Sequence, residues 1–289
     1  MTDDMKQRIG RIGIWMPDPA SIEAGGAAVA SAIEAAGFGS LWVGGGNGKP
    51  DSFERLAELL EGTTRLVVAT GIANIWARPA AEMRAGAEDL AKRFPGRFIL
   101  GLGVSHAPIV EGLGKTYEKP FQKMVSYLDE LGDLSCPLVL AALGPRMLEL
   151  SRDRTDGAHP YFVTPEHTAV ARDILGPDPL LIPEQAVVLS GDRAQALAGG
   201  RAYADRYLKM PNYISNLKRY GFSDADISGG GSDRLIEAII PYGPGGVTKS
   251  VRAHLDAGAD HVTIQPLGAT GTFSAADLHL LGEALQGLL

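Results

Sequence analysis

Residues Val67 to His106 constrain the fold more than any other stretch of the chain. They read as an apolar strand, a helix from about Pro79 to Phe94, and a second apolar strand from Arg97 to Val104. Both strands are apolar on two faces and rich in aliphatic residues, the pattern of strands buried on both sides of a sheet. The first ends in Thr70-Gly71-Ile72 and the second in Ser105-His106. Glycine beside a small or polar residue at both ends marks tight turns. In parallel α/β folds the carboxyl ends of the strands carry the chemistry, so this unit also says where a site belongs.

The same alternation runs through almost the whole chain. Strand-like runs fall at Arg11–Met16, Ser40–Val43, Leu66–Ile72, Phe98–Val104, Pro137–Ala142, Gly157–Phe162, Leu181–Leu189 and His261–Gln265. Helix starts are marked by capping residues or by proline in the first turn: Asp18-Pro19, Asp51 with Glu54, Gly144-Pro145, Thr164-Pro165, Asp192 with Gln195, and Ser274. Apolar residues at Met124, Val125, Leu128 and Leu131 keep helical spacing. Eight strands, each followed by a helix, predict an α/β fold, a (β/α)8 TIM barrel in a single domain over residues 1–289. Several helices between Asp192 and Gly258 predict an elaborated helical crossover between the seventh and eighth strands. An open doubly wound sheet is the alternative. It would want a glycine fingerprint after the first strand, and Ile14-Trp15-Met16-Pro17 offers none.

Composition removes several function classes. A formal charge of −7 and a pI near 5.4 argue against a nucleic-acid partner or an anionic membrane surface. The lone cysteine, Cys136, excludes an internal disulfide and a cysteine-based metal site, and its apolar context suggests a buried, inert thiol. The start MTDDMKQR has no apolar core, so no signal peptide is expected, and no apolar run is long enough to span a bilayer. A soluble cytoplasmic protein is the expectation. No HExxH or clustered aspartates appear, so no metal is expected, and the proximity of His254 and His261 to Asp256 and Asp260 reads as incidental. There is also no GxSxG elbow for serine hydrolysis.

The predicted strand ends, gathered around one mouth, bring together Trp15, Trp42, Gly44, Gly71, Ile72, Asn74, Ser105, His106, Ala142, Gly144, His159 and Gln265. Such a mouth is aromatic, glycine-rich and short of charge, which suits a large flat ligand better than a small charged one. His106 is the candidate acid or base, because histidine alone titrates near neutral pH when unperturbed. A plain loop-capping histidine is the alternative there, and His159 fits a packed structural role as well as an inward-facing one. Gly144-Pro145-Arg146 opens a helix directly after a strand, where free N–H groups and the helix dipole favour an anion. Gly229-Gly230-Gly231-Ser232 is a second possible phosphate contact, with a plain linker as the preferred reading.

Several of these pieces together resemble the bacterial luciferase-like flavin and deazaflavin oxidoreductases, most closely the actinobacterial branch that uses coenzyme F420. The resemblance rests on Val67–Ile72, Arg97–His106, Ala141-Ala142-Leu143-Gly144-Pro145-Arg146-Met147, Gly157-Ala158-His159-Pro160-Tyr161 and Ala257–Val262, which follow the family's order. It implies a barrel with the cofactor ring at the carboxyl end and a non-proline cis peptide, here Gly71–Ile72, bulging against that ring. It also implies that backbone groups at Ala142 and Gly144 lie near the ribityl-phosphate arm. Asn74 and Ser105 join them as cofactor-binding candidates, with His106 moving the proton. Hydride transfer between coenzyme F420 and a small-molecule organic substrate is the implied activity, in a homodimer. The alternatives are an FMN-dependent monooxygenase or reductase and a non-catalytic carrier of a flavin-type ligand. Two positions depart from the family's sugar-phosphate dehydrogenases. Gly44-Gly45-Gly46 stands where they place a histidine, and His106 stands about where they place a glutamate. The departures argue against a glucose-6-phosphate-type substrate, and the glycines leave room for a bulkier one.

Overall fold

The computed structural model describes residues 2–17, 26–44, 52–267 and 274–289. The helix starts predicted at Asp18-Pro19 and at Asp51, and the glycines 45 and 46, lie outside the described residues. The strands are β1 (Ile12–Met16), β2 (Ser40–Val43), β3 (Val67–Thr70), β4 (Ala73–Asn74), β5 (Phe98–Gly103), β6 (Leu138–Leu140), β7 (Gly157–Ala158), β8 (Leu180–Leu181), β9 (Glu184–Val187) and β10 (Val262–Pro266). They pair in the order β8-β7-β6-β5-β3-β2-β1-β10-β9, with β4 also on β5, and their pairings are parallel. The two ends of that path, β8 and β9, are consecutive in sequence and separated only by Ile182-Pro183. One kinked stave therefore pairs with β7 by its first half and with β10 by its second, and the eight predicted staves form a curled α/β barrel sheet.

The predicted seventh strand, Leu181–Leu189, is thus two short strands, because Pro183 has no N–H to give a ladder. The predicted third strand, Leu66–Ile72, also breaks. Pairing runs as Ala69 with Ile99 and resumes as Ala73 with Leu102, so four steps on one stave match three on the other. The extra residue is a bulge, and the Gly71–Ile72 peptide within it is cis. The Thr70 hydroxyl bridges the gap: it accepts from the Gly101 N–H at 2.7 Å and donates to the Gly101 carbonyl at 2.8 Å. The sixth stave pairs only at Gly157–Ala158, well short of the predicted Phe162, which takes a left-handed φ of 58°.

Side chains alternate across the staves as a barrel requires. Ile12, Ile14 and Met16 of β1 join the core shared with the outer helices, while Trp15 joins Trp42, Val67, Ala69, Ile99 and Val139 inside. An N-terminal helix that the sequence reading did not anticipate, Thr2–Ile9, sends Met5 and Ile9 into that inner cluster. Its two apolar residues four apart were too sparse a signal. Ser40, Trp42 and His261 form a paired polar group in the interior. The carbonyl of Gly10 can only accept, so His261 carries its proton on Nδ1 (3.0 Å). Its Nε2 takes the Ser40 hydroxyl (2.7 Å), which in turn accepts from Trp42 Nε1 (2.9 Å).

The crossover after β9 is elaborated, as expected. It contains helices Arg193–Ala204, Pro211–Arg219, Asp224–Ile227, Asp233–Ile239 and Gly243–Asp256, with a 3-10 turn at Tyr207–Lys209. Asp192 caps the first through the Gln195 N–H, but the reciprocal half of the predicted capping box is missing, because the Gln195 side chain accepts from Ser190 instead. These helices build a second apolar core around Leu197, Leu208, Leu217, Leu235 and Ile236. Among the described residues no helix is long and apolar enough to cross a membrane.

Candidate active site

A cavity of about 510 Å³ opens at the carboxyl ends of the staves, within the range of small-molecule and cofactor sites. Its wall includes Gly71, Ile72, Asn74, Ser105, His106, Ala142 and Gly144, so the structure brings every predicted site residue to one place. Trp15 is there too, donating from Nε1 to the Gly71 carbonyl at 3.1 Å. Trp42 is not; it is fully buried below, stacked on His159 at 4.4 Å between centroids.

The bulge shapes the cavity floor. A β-carbon at Gly103 would stand 2.4 Å from Ile72 Cδ1, and one at Gly101 would stand 2.1 Å from the Thr70 carbonyl oxygen. Glycine at these positions of β5 lets the preceding stave swell inward and lay Ile72 across its neighbour. Past β5 the chain turns through Ser105, at φ 56°, into a short helix, Ala107–Gly112. His106 is its N-cap by position, yet its side chain makes no capping bond. It is hydrogen-bonded to Asn212, with its ring 5.5 Å from that of Tyr213. Burial lowers its pKa below the usual 6.5, against the Asn212 bond and with help from the nearby Arg206 charge, so the imidazole is neutral at pH 7.

Two buried polar atoms in the wall lack a partner among the described residues: His159 Nε2 and Asn74 Nδ2. Both orientations are fixed. His159 Nδ1 lies 2.7 Å from the Ile182 carbonyl and must carry the proton, which leaves Nε2 a bare acceptor. Burial drives the His159 pKa down to about 4, so it stays neutral. Asn74 Oδ1 accepts from the Trp76 N–H at 3.0 Å, which fixes the amide's orientation and leaves the nitrogen as the orphaned donor.

Behind Tyr161 stands a tyrosine cluster. Its hydroxyl meets those of Tyr203 (2.7 Å) and Tyr207 (2.9 Å) and donates to Gln265 Oε1 (2.7 Å). Glu184 is buried beside them. Burial pushes its pKa up to about 8, against the Phe162 N–H bond and the charge of Arg206, so it is protonated at pH 7.

Residues 24–135 match the family model described as luciferase-like monooxygenase. Two curated relatives match more widely. The 5,10-methylenetetrahydromethanopterin reductase of Methanolobus tindarius is 25% identical over 52% of this chain and 56% of its own length. A Mycobacterium tuberculosis protein provisionally named coenzyme F420-dependent oxidoreductase is 24% identical over 68% of this chain and 71% of its own. The chain therefore spans little more than half the length of the first relative. Among solved structures, the coenzyme F420-dependent tetrahydromethanopterin reductase of Methanopyrus kandleri superposes with a TM-score of 0.75 at 16% identity, covering 97% of this chain and 100% of that one. The FMN-bound Type II Baeyer-Villiger monooxygenase of Pseudomonas putida superposes at 0.69 and 13%, covering 97% and 99%. The chain shares its barrel fold with both structures.

The geometry bears on three readings of the sequence and corrects one of them, the helix start at Gly144. The mouth is short of charge, as expected: among its described residues Arg206 alone is Asp, Glu, Lys or Arg, and it comes from the crossover with Tyr207, Met210, Asn212 and Tyr213. Sequence reasoning passed over them. The available signal was Tyr203 and Tyr207 four apart on one helical face, ahead of Tyr213. The triple glycine at 229–231 is a turn with three positive φ angles outside the cavity wall, in line with the preferred linker reading. The Gly144 helix start offers less than predicted. Pro145 has no N–H, and those of Met147 and Leu148 both return to the Gly144 carbonyl, leaving Arg146 as the first-turn donor. Among the described residues no His, Cys, Asp or Glu cluster is arranged to hold a metal. His254 and His261 serve packing: His254 lies 2.8 Å from Thr168 Oγ1 and 3.0 Å from Gln185 Oε1. Cys136 is buried, and burial lifts its thiol pKa to about 12.

Proposed function

We propose that this chain is an oxidoreductase in which coenzyme F420 exchanges hydride with an organic substrate bound above the Gly71–Ile72 bulge. The observation that carries the reading is the pair of orphaned, oriented groups in the cavity wall, His159 Nε2 and Asn74 Nδ2. Buried polar groups in native proteins find partners, and one acceptor and one donor call for a ligand that presents both N–H and C=O. The pyrimidine edge of a deazaflavin or flavin does so, and the residues present therefore fit the group. When bound, the deazaflavin supplies the hydride chemistry. Gly71 and Ile72 back its ring. Asn74 and Ser105 border it, and Ala142 and Gly144 face the phosphate arm. Neutral His106 holds or takes the substrate's proton. Trp15, Tyr161 and Tyr207 exclude water from the reacting side. The names of the M. tuberculosis and M. kandleri proteins support F420 over FMN. A homodimer of single-domain chains over residues 1–289 completes the proposal.

Fluorescence titration of the purified chain with coenzyme F420, and separately with FMN, tests it. Tight binding of F420 and weak binding of FMN are expected. Tight binding of FMN alone moves the assignment to a flavin monooxygenase or reductase, and binding of neither refutes it. His159→Phe keeps a ring against Trp42 but removes the acceptor. A net hydrogen bond of about 1–1.5 kcal/mol corresponds to roughly tenfold weaker cofactor binding. An unchanged Kd in that variant would show that Nε2 does not meet the ring.

A further inference from the structure

We propose that Arg206 is the anion-recognition group of the cavity, and that the organic substrate carries a carboxylate or phosphate which this guanidinium receives. The inference rests on the oxidoreductase reading above and narrows its substrate class.

Arg206 is the sole Asp, Glu, Lys or Arg among the described residues of the cavity wall. Its Nη2 donates to the Tyr207 hydroxyl, and its Cζ lies 4.5 Å from the Tyr207 ring centroid and 5.8 Å from that of Tyr203. These contacts fix the direction of a long side chain and occupy one of its five N–H donors. Among the described residues it forms no ion pair with a carboxylate. Glu184, the acid whose proton affinity Arg206 influences, is fully buried and protonated at pH 7, so it supplies no countercharge. A positioned guanidinium with free donors matches the paired oxygens of a carboxylate or phosphate, and a concave site with one sign of charge gathers the opposite sign.

The placement also suits the reaction. Tyr207, which carries the guanidinium, stands 5.2 Å from Tyr213, and Tyr213 stands 5.5 Å from His106. An anion held at Arg206 is therefore linked to the proton acceptor through the rings of Tyr207 and Tyr213. The crossover thus supplies the substrate's anchor, while the staves supply the floor.

Calorimetric titration of the full chain with benzoate and with its neutral isostere benzamide, each with and without saturating F420, tests the proposal. The wild type is expected to bind benzoate at least tenfold more tightly than benzamide. Arg206→Gln should erase that preference, and Arg206→Lys should keep part of it, since an ammonium retains charge without the fork. Equal binding of the two probes by the wild type overturns the proposal with no variant needed. Undiminished benzoate preference in Arg206→Gln also overturns it. If that variant loses F420 affinity while its benzoate preference persists, the guanidinium serves the cofactor's own anionic arm, and the proposal fails. A wild type that prefers benzoate yet binds neither F420 nor FMN overturns the oxidoreductase reading and leaves the anion site standing.

Discussion

His106→Ala is expected to lower turnover by about 10²–10⁴-fold, the usual contribution of a positioned acid or base, while the cofactor Kd changes by less than about threefold. The imidazole lies in the cavity wall, held by Asn212 and flanked by Tyr213, and is not part of the bulge that would back the ring. Its removal therefore takes away proton transfer and leaves the cofactor's floor intact. The pH profile gives the sign. Burial, the largest influence, lowers the His106 pKa below 6.5, and the Arg206 charge adds to this while the Asn212 bond opposes it. The group is thus already a competent base at pH 7. In the direction that takes a proton from substrate, the wild-type rate stays level from pH 7 down past 6.5 and falls only at lower pH, where the imidazole charges. The variant should lose that acid limb as well as the rate. Steady-state kinetics across pH, paired with cofactor titration, check both parts. A variant with normal turnover when cofactor-loaded but a strongly raised Kd would move His106 from proton transfer to binding.

The staves were legible in the sequence because each is a short apolar run bounded by glycine, proline or a capping residue, and parallel strands buried on both faces need little else. The breaks inside two staves were less so. Pro183 announces one of them, since it cannot donate to a ladder. The bulge at Gly71–Ile72 leaves almost no local mark. Its cause lies on the neighbouring stave, in glycines 101 and 103, some thirty residues away in sequence. The resemblance supplied what periodicity did not. Candidate residues at stave ends were readable for the same topological reason, and Gly71, Ile72, Asn74, Ser105, His106, Ala142 and Gly144 all reach one cavity. The residues that sequence reasoning missed, Arg206 and Asn212 above all, come from the crossover. There a side chain's destination depends on how several short helices pack on one another, and no two-residue or 3.6-residue period encodes that.

Gly101→Ala tests whether the bulge depends on its neighbour. The added β-carbon would sit 2.1 Å from the Thr70 carbonyl oxygen and 3.4 Å from Ile72 Cγ2. The first contact is with backbone, so no rotamer change relieves it, and either β5 or the bulging stave must move. Either movement strains the two Thr70 hydroxyl bonds that splice the staves at this point. Overpacking of this kind costs about 1–3 kcal/mol, and loss of the splice adds about 1 kcal/mol, so destabilisation by roughly 2–4 kcal/mol is expected in urea unfolding. Cofactor affinity should fall further than stability alone accounts for, by more than about 100-fold in the surviving folded fraction, because Gly71 and Ile72 are displaced directly. Gly191→Ala, where a β-carbon meets nothing within 4 Å, is the control and should stay within about 0.5 kcal/mol of the wild type. If Gly101→Ala loses stability but binds cofactor normally, the bulge is a packing feature, and the ring is backed elsewhere on the floor. If it retains both, Thr70 and Ile72 have somewhere to go, and the two glycines of β5 are not what holds the stave in its bulged course.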